Sequence, residues 1–197
     1  MGRNHLIWAP DPVYSKLVKL RGELGYPTFG ALINALALEH DGGGVEKAAL
    51  PLVMADSRPF VVTGPSGCGK TTFAQQVLTA WSGPALVLDA SNEYPELPSI
   101  KDSRDLDLNT AGKFRIVGSP NVDYAQLEAS YLFRDLQVRR SDSALSRWLI
   151  IVEEAHRFAN DAGLKALLLE GRKSIGKLLV LSADPTPWAQ VAPIVRP

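Results

Sequence analysis

The sequence has almost no cysteine and no long apolar run. The chain has 197 residues and a single cysteine, Cys68, so an internal disulfide is excluded. A lone cysteine fits a reducing compartment, and no apolar run reaches the length of a membrane span. The N-terminus also lacks the pattern of a signal peptide. We therefore expect a cytoplasmic protein that has no membrane partner.

An excess of charge of either sign is also missing. Lys and Arg number 21 and Asp and Glu number 21, so the formal net charge is zero. This balance excludes a global electrostatic attraction to nucleic acid or membrane, so any basic surface must be local. The hydrophobic content of 46% is ordinary for a globular protein. The length fits one α/β domain with a small appendage.

The clearest motif is a glycine-rich loop with the spacing Gly, four residues, Gly-Lys-Thr. Its residues and the following threonine are the predicted phosphate-binding set: Gly64, Pro65, Ser66, Gly67, Cys68, Gly69, Lys70, Thr71 and Thr72. A β-branched run precedes the loop and a helical stretch follows it, which is the context that makes the motif credible. The alternative is an ordinary glycine-rich turn that matches by chance.

The chemistry of this loop is anion binding. Glycines let backbone N–H groups wrap closely around a phosphate, and the helix that opens at Lys70 adds its positive N-terminal end. We expect the loop to bind ATP, with Lys70 at the β- and γ-phosphates. The hydroxyl of Thr71 is expected to ligate Mg²⁺.

A second motif places two carboxylates after an apolar run. The segment Leu149-Ile150-Ile151-Val152-Glu153-Glu154 is predicted to be a buried strand that ends in two carboxylates, those of Glu153 and Glu154. Ligands of parallel sheets bind at the carboxyl ends of the strands, where the phosphate loop also leaves its strand. Glu153 is therefore predicted to hold Mg²⁺, directly or through water, and Glu154 to orient and deprotonate the attacking water. The alternative is a solvated acidic turn.

Strands and helices alternate along the rest of the chain. Strands are predicted at Phe60–Thr63, Ala85–Asp89, Phe114–Val117, Trp148–Glu153 and Lys177–Ser182, with at most one more at Val191–Val195. Helices are predicted at Thr71–Trp81, Tyr124–Val138 and Ala162–Arg172, and a long loop at residues 90–112. This alternation predicts a mostly parallel sheet with helices on both faces.

The sequence around the acid pair resembles that of a known protein family. Residues 151–158, Ile-Val-Glu-Glu-Ala-His-Arg-Phe, resemble the Asp-Glu-Ala-His-Arg-Phe segment of the HerA/FtsK superfamily of DNA-pumping ATPases. Residues 88–94, Leu-Asp-Ala-Ser-Asn-Glu-Tyr, resemble its Asp-x-x-Gly-Glu-Tyr loop, and residues 170–173 its Glu-Gly-Arg-Lys segment. Residues 182–185 stand where the family carries Thr-Gln-Arg-Pro, and residues 114–117 match a strand of its virus genome-packaging members.

The resemblance implies an α/β P-loop NTPase fold of the RecA-like, ASCE type. It also implies a homo-oligomeric ring that hydrolyses ATP to move or package double-stranded DNA. In this superfamily a neighbouring subunit commonly supplies an arginine to the γ-phosphate, and Arg172 is the best match for that role, with Arg157 behind it. A surface salt bridge is the alternative for either arginine. Two rival functions stay open, namely a nucleotide-gated DNA-binding regulator or adaptor, and an AAA-like ATPase that acts on protein partners.

The chain departs from the family at two positions that bear on hydrolysis. The first acid of the pair is Glu153, whereas the family has Asp, which is one methylene shorter. The polar sensor Gln of the family falls at Ala183, whose methyl group is neither donor nor acceptor, and the neighbouring Ser182 is a candidate substitute. We therefore expect tight ATP binding with slow hydrolysis.

Three further polar residues near these motifs have open roles. Asn92 and Glu93 stand in the loop after the second strand, which should approach the phosphate edge, or they cap that loop. His156 follows the acid pair, where it either couples nucleotide state to the next helix or makes a structural hydrogen bond.

Residues 1–44 are predicted to be a separate appendage that ends in a glycine linker, and residues 45–197 the ATPase domain. Apolar residues recur at helical spacing over residues 13–24 and again over residues 29–36. With the short apolar stretch at residues 3–8, this segment resembles the ribbon-helix-helix DNA-binding module. The alternative is a helical hairpin that packs against the ATPase domain or a neighbouring subunit.

Overall fold

The computed structural model describes residues 50, 53–54, 59–119, 121–170, 174–188 and 194–195. The appendage predicted over residues 1–44 lies outside these residues, as does the predicted trans-acting Arg172. The domain boundary near residue 45 therefore stays a prediction. In the described part of the chain, no helix is long and apolar enough to cross a bilayer.

Strands and helices alternate as the sequence predicts. The strands are β1 Phe60–Thr63, β2 Ala85–Asp89, β3 Lys113–Val117, β4 Leu149–Val152, β5 Lys177–Ser182 and β6 Ile194–Val195. Three α-helices have both ends within the described ranges, namely α1 Lys70–Ala80, α2 Val122–Val138 and α3 Ala162–Glu170. Leu50, Val53 and Met54 are also helical. Short 3₁₀ segments lie at Ser103–Asp105, Arg139–Ser141, Ser143–Arg147, Ala155–Phe158 and Thr186–Trp188.

The bounds of β1, β2 and β5 are those predicted, whereas several other element boundaries differ by one or two residues. β4 is shorter than predicted, because Trp148 and Glu153 both lie outside the strand. α2 begins at Val122 instead of Tyr124, because the Asn121 side chain accepts hydrogen bonds from the first backbone N–H groups of the helix. α3 is described as far as Glu170, and the predicted continuation to Arg172 falls outside the described residues.

The sheet carries apolar residues on both faces, which explains the near-continuous hydrophobic runs of its strands. On one face, Val62, Val87 and Ile151 pack with Phe73 and Val77 of α1. On the other face, the alternate strand residues pack with side chains of α2 and α3; this set includes Leu88, Ile150, Val180, Phe133 and Leu167. The predicted helices on both faces are therefore confirmed.

The strand order of the sheet is β3-β2-β4-β5-β1-β6, and each pairing is parallel. β5 therefore lies between β1, which leads into the phosphate loop, and β4, which leads into the acid pair. This inserted strand gives the α/β P-loop NTPase fold of the RecA-like, ASCE type. Strand register brings Thr63 level with Ser182 and Leu88 level with Val152. The carboxyl ends of these four strands thus meet at one edge of the sheet.

Candidate active site

The phosphate loop turns on two glycines that have positive φ angles. Gly67 has φ 78° and Gly69 has φ 89°, a left-handed conformation that costs an L-residue roughly 1–2 kcal/mol. A Cβ on Gly67 would meet no atom within 4 Å, so conformation and not crowding requires glycine there. α1 begins directly after Gly69, and no side chain caps its N-terminus. Its first N–H groups are therefore suited to an anion.

The Lys70 ammonium lies inside this loop. Its Nζ donates to the carbonyl oxygens of Gly64 and Pro65 at 2.9 Å each, and only 9% of the residue is exposed. The exposed Cys68 places its Sγ 3.9 Å from the same nitrogen. The ammonium of Lys70 thus lies at the centre of the loop and is surrounded by the loop backbone.

Thr71 and Glu153 come together although β5 separates the strands that lead to them. Thr71 Oγ1 lies 3.5 Å from Glu153 Oε2, to which it donates. A hydroxyl and a carboxylate are hard oxygen ligands of the kind that Mg²⁺ takes, usually one or two from the protein with the rest from phosphates and water. The described residues contain no cluster of three or more His, Cys, Asp or Glu ligands. This pair therefore fits a Mg²⁺ ion that is shared with a nucleotide.

A buried tyrosine holds the other oxygen of Glu153. The Tyr94 hydroxyl donates to Glu153 Oε1 at 2.6 Å. Tyr94 is 0% exposed and Glu153 is 2% exposed. The two carboxylate oxygens of Glu153 therefore have separate partners, with the phenol on one and Thr71 on the other.

The loop that carries Tyr94 is anchored on Asp89, the last residue of β2. The Asp89 carboxylate is fully buried and accepts the backbone N–H groups of Glu93 at 2.8 Å and Tyr94 at 3.1 Å. Arg115 of β3 pairs with the same carboxylate at 3.0 Å. Arg115 also donates to Asn92 Oδ1 at 2.6 Å, where Asn92 has a positive φ of 59°. This loop is therefore fixed to the sheet at three successive residues.

Burial changes the acid chemistry of Glu153 and Tyr94. Desolvation raises the pKa of Glu153 to about 7, against the lowering effect of the Tyr94 hydrogen bond, and nearby acids such as Glu154 and Asp89 raise it further. Burial and the Glu153 charge also raise the pKa of the Tyr94 phenol far above its usual range. The phenol therefore stays protonated and keeps its donor role.

We expect Glu153 to make the metal-free protein less stable as the pH rises. Its pKa is about 7 in the folded state and 4.5 in the reference state. Between these values the folded state binds the extra proton, so stability falls with rising pH. From pH 4.5 to above pH 7 the loss is on the order of 2–3 kcal/mol. Urea unfolding at pH 5 and pH 8, without Mg²⁺, measures it.

Glu153→Gln supplies the control for this pH dependence, because the amide does not titrate. The wild type should lose more stability than this variant between the two pH values, and Mg²⁺ should reduce the difference because it favours the carboxylate. Equal losses in both proteins would show that Glu153 ionises as an ordinary glutamate.

Glu154 adopts a conformation that is rare for a residue with a side chain. Its φ is 49°, which is in the left-handed region. This backbone conformation costs about 1–3 kcal/mol and is found most often at functional sites. It precedes the 3₁₀ segment Ala155–Phe158, and its side chain is 31% exposed. Its Oε2 lies 3.5 Å from His156 Nε2. Glu154 is thus accessible to water and has a polar neighbour, as a general base requires.

The predicted sensor position carries no hydrogen-bonding side chain. Ala183 directly follows β5 and is exposed. The substitute candidate Ser182 is fully buried, and its hydroxyl donates to the Asp184 carbonyl at 2.7 Å. Its backbone carbonyl accepts the N–H of Gly64 at 3.2 Å. Ser182 therefore links β5 to the phosphate loop, while its hydroxyl is used in the turn that follows.

The remaining candidate residues lie on the surface of the described part of the chain. Thr72 is exposed in the first turn of α1, and Arg157 is exposed after the acid pair. Asn92 is occupied with Arg115, so loop stabilisation, the alternative considered for it, is the role seen here. Glu93 is exposed, and its carbonyl accepts from Gln75 of α1 at 3.2 Å.

Sequence reasoning missed Tyr94, Asp89 and Arg115 as parts of the site. The sequence does contain signals for two of them: an acid ends the strand β2, one aromatic stands in the polar loop that follows it, and both match the Asp-x-x-Gly-Glu-Tyr loop that residues 88–94 resemble. None of these signals tells which carboxylate the aromatic contacts, because that depends on the order of strands in the sheet. β2 lies beside β4, which places Tyr94 next to Glu153.

The fold and the loop geometry define the P-loop NTPase fold class. No model of a known protein family matches the chain, and no curated protein matches it either. Among solved structures, the chain is similar to the genome packaging NTPase B204 from Sulfolobus turreted icosahedral virus 2, determined in complex with ATP-gammaS. The identity is 14%, the match covers 68% of this chain and 71% of that chain, and the TM-score is 0.42.

Proposed function

We propose that this protein binds Mg·ATP at the carboxyl edge of its sheet and hydrolyses it. The observation that carries this proposal is the approach of Thr71 Oγ1 to Glu153 Oε2 at 3.5 Å. These residues come from the two motifs that the sequence marks as phosphate- and metal-binding, and the fold brings them together. Lys70 and Glu154 lie next to them in the chain, so a cation and a general base belong to the same edge.

Each residue has a distinct role in this proposal. The ammonium of Lys70 exchanges its loop carbonyls for the β- and γ-phosphates. Thr71 and Glu153 would hold Mg²⁺, and the ion would supply positive charge that stabilises the negative charge developing on the transferred phosphoryl group. Glu154 accepts the proton of the attacking water. Since the sensor position is Ala183, the attacking water is held by fewer groups than in the superfamily that the sequence resembles, and turnover is slow.

We further propose that hydrolysis drives the movement or packaging of double-stranded DNA by a homo-oligomeric ring. The support is the ordered set of sequence segments between residues 60 and 188 that resembles the HerA/FtsK superfamily. In such a ring, Arg172 of one subunit would reach the γ-phosphate bound by its neighbour. The rival roles are a nucleotide-gated DNA-binding regulator or adaptor and an ATPase that acts on protein partners.

The deciding experiment measures the ATPase rate with and without duplex DNA, together with the native mass. Stimulation by DNA in an oligomer is the expected result. DNA affinity that falls steeply with salt but leaves turnover unchanged would favour the regulator. The absence of any DNA affinity at low salt would favour protein partners. A chain without residues 1–44, tested in parallel, shows whether the appendage or the core makes the DNA contact.

A further inference from the structure

The Tyr94–Glu153 hydrogen bond is a short, buried contact at the proposed metal-binding edge of the site. The phenol and the carboxylate are both buried, and their oxygens are 2.6 Å apart. A hydrogen bond between two buried groups is strong, because no water competes for either partner. The proposed roles of the other site residues leave this bond unexplained.

The bond also has a geometric consequence for the metal ligand. A glutamate places its carboxylate about 1.5 Å further from the backbone than an aspartate does, and it has an additional rotatable bond. A buried glutamate therefore needs a restraint before it can present one oxygen at a fixed point. The Tyr94 hydroxyl supplies this restraint at Oε1, while Oε2 faces Thr71.

We infer that Tyr94 is a positioning residue, which fixes the longer acid Glu153 so that Oε2 is presented to Mg²⁺ beside Thr71. This inference rests on the proposed Mg·ATP binding. Tyr94 itself contacts neither metal nor nucleotide in this role, since its hydroxyl is directed to Oε1. The longer acid is then held in place by a tyrosine from the loop that follows the neighbouring strand β2.

Tyr94 is held in place by hydrogen bonds to the loop that carries it. Its backbone N–H and that of Glu93 are both held by the buried Asp89 carboxylate, which is further fixed by Arg115. The Glu93 carbonyl is tied to Gln75 of α1, the helix that follows the phosphate loop. The restraint on Glu153 is thus built on the sheet and on the nucleotide-binding helix.

The test separates metal binding from nucleotide binding in the whole chain. A fluorescent, non-hydrolysable ATP analogue is titrated in EDTA, and the protein–analogue complex is then titrated with Mg²⁺. Tyr94→Phe should weaken the apparent Mg²⁺ affinity by about 10-fold or more, as the loss of such outer partners typically does. Affinity for the analogue in EDTA should change by less than about twofold, because Lys70 and the loop are untouched.

Tyr131→Phe is the matched control, because it removes the same hydroxyl from an exposed tyrosine on α2. It should leave both affinities at the wild-type values. A double-mutant cycle with Glu153→Asp adds a second test, since the shorter acid retreats from the phenol. In that background, Tyr94→Phe should have little further effect on Mg²⁺ affinity.

A general structural role for Tyr94 predicts other results. Tyr94→Phe would then reduce the affinity in EDTA as much as the affinity for Mg²⁺, and its effect would be equal in the Glu153→Asp background. Either result, or a Mg²⁺ affinity equal to that of Tyr131→Phe, overturns the inference. A wild type that fails to bind the analogue under both conditions contradicts the proposed function as well.

An Asp89→Asn variant keeps the test decisive should Tyr94→Phe not fold. It leaves the phenol and Glu153 in place but weakens the anchor of the loop between them. We expect the same selective loss of Mg²⁺ affinity, smaller than for Tyr94→Phe, and a variant that binds Mg²⁺ as the wild type does counts against the inference. Circular dichroism of each variant confirms that it is folded.

Discussion

Lys70→Ala should abolish tight binding of Mg·ATP, with a loss of affinity of about 100-fold or more. The ammonium is the cation that the phosphate loop itself supplies, and it is buried within the loop. Each hydrogen bond from a charged group contributes about 1.5–3 kcal/mol, and Lys70 should make such bonds to two phosphates. Two of them correspond to at least about 100-fold in affinity, since each 1.4 kcal/mol is tenfold. Titration calorimetry with Mg·ATP measures the loss.

Lys101→Ala is a suitable control, because it removes an exposed ammonium from the loop at residues 90–112. It should bind Mg·ATP with wild-type affinity. Lys70 also donates to Gly64 and Pro65, so the melting temperature of the variant is compared with that of the wild type. A folded Lys70→Ala protein with unchanged affinity would mean that this glycine-rich loop does not bind phosphate.

Much of the fold is readable from the sequence, because its strands are short apolar runs between turn residues. The bounds of β1, β2 and β5 agree with those predicted. Such runs arise because both faces of the sheet are covered, so alternating polar positions are absent. The ends of β4 are harder to locate, since Trp148 continues the apolar pattern yet packs outside the strand, where its Nε1 donates to the Leu108 carbonyl.

The short 3₁₀ segments were not predicted, and the reason is their length. A segment of three to five residues, such as Ser143–Arg147, is too brief to show a hydrophobic period. Its start depends on a single side chain, here Asp142, which accepts from the Ala144 N–H. Local capping of this kind occurs at many aspartates, so the sequence alone does not single it out.

The candidate site likewise has parts that can be predicted from contiguous motifs and parts that depend on contacts between residues distant in the chain. The phosphate loop and the acid pair are contiguous motifs, and the structure places them at the predicted edge. The pairing of Tyr94 with Glu153 joins residues far apart in the chain and depends on β2 lying beside β4. Strand order is a property of the whole sheet, so this contact could not be derived from spacing.

The second prediction concerns the rate of ATP hydrolysis, which we expect to be low in the wild-type protein. We expect basal turnover below about one per second. In-line attack needs a base and a group that holds the water and the γ-phosphate. Glu154 can be the base, but Ala183 has no hydrogen-bonding group, the Ser182 hydroxyl donates to Asp184, and Asn92 accepts from Arg115. A steady-state ATPase assay gives the rate.

Glu154→Gln should remove nearly all of this remaining activity, by about 100-fold or more, while Mg·ATP binding stays close to that of the wild type. The amide matches the carboxylate in shape but cannot accept the proton of water, and a positioned general base contributes typically 10²–10⁴-fold. Glu128→Gln, which changes an exposed acid on α2, controls for the loss of charge. Single-turnover kinetics with bound ATP separates the chemical step from product release.

Ala183→Gln tests the role of the missing sensor, because it introduces the polar side chain that the HerA/FtsK superfamily carries in the segment that residues 182–185 resemble. The residue is exposed at the carboxyl end of β5, so a longer side chain can enter without displacing the core. Since one transition-state hydrogen bond is worth about 10²–10³ in rate, we expect an increase of about tenfold or more that depends on Glu154. A fast wild type that is slowed by Ala183→Gln would show instead that another residue already positions the water, and that the segment after Lys177 aligns differently with the family.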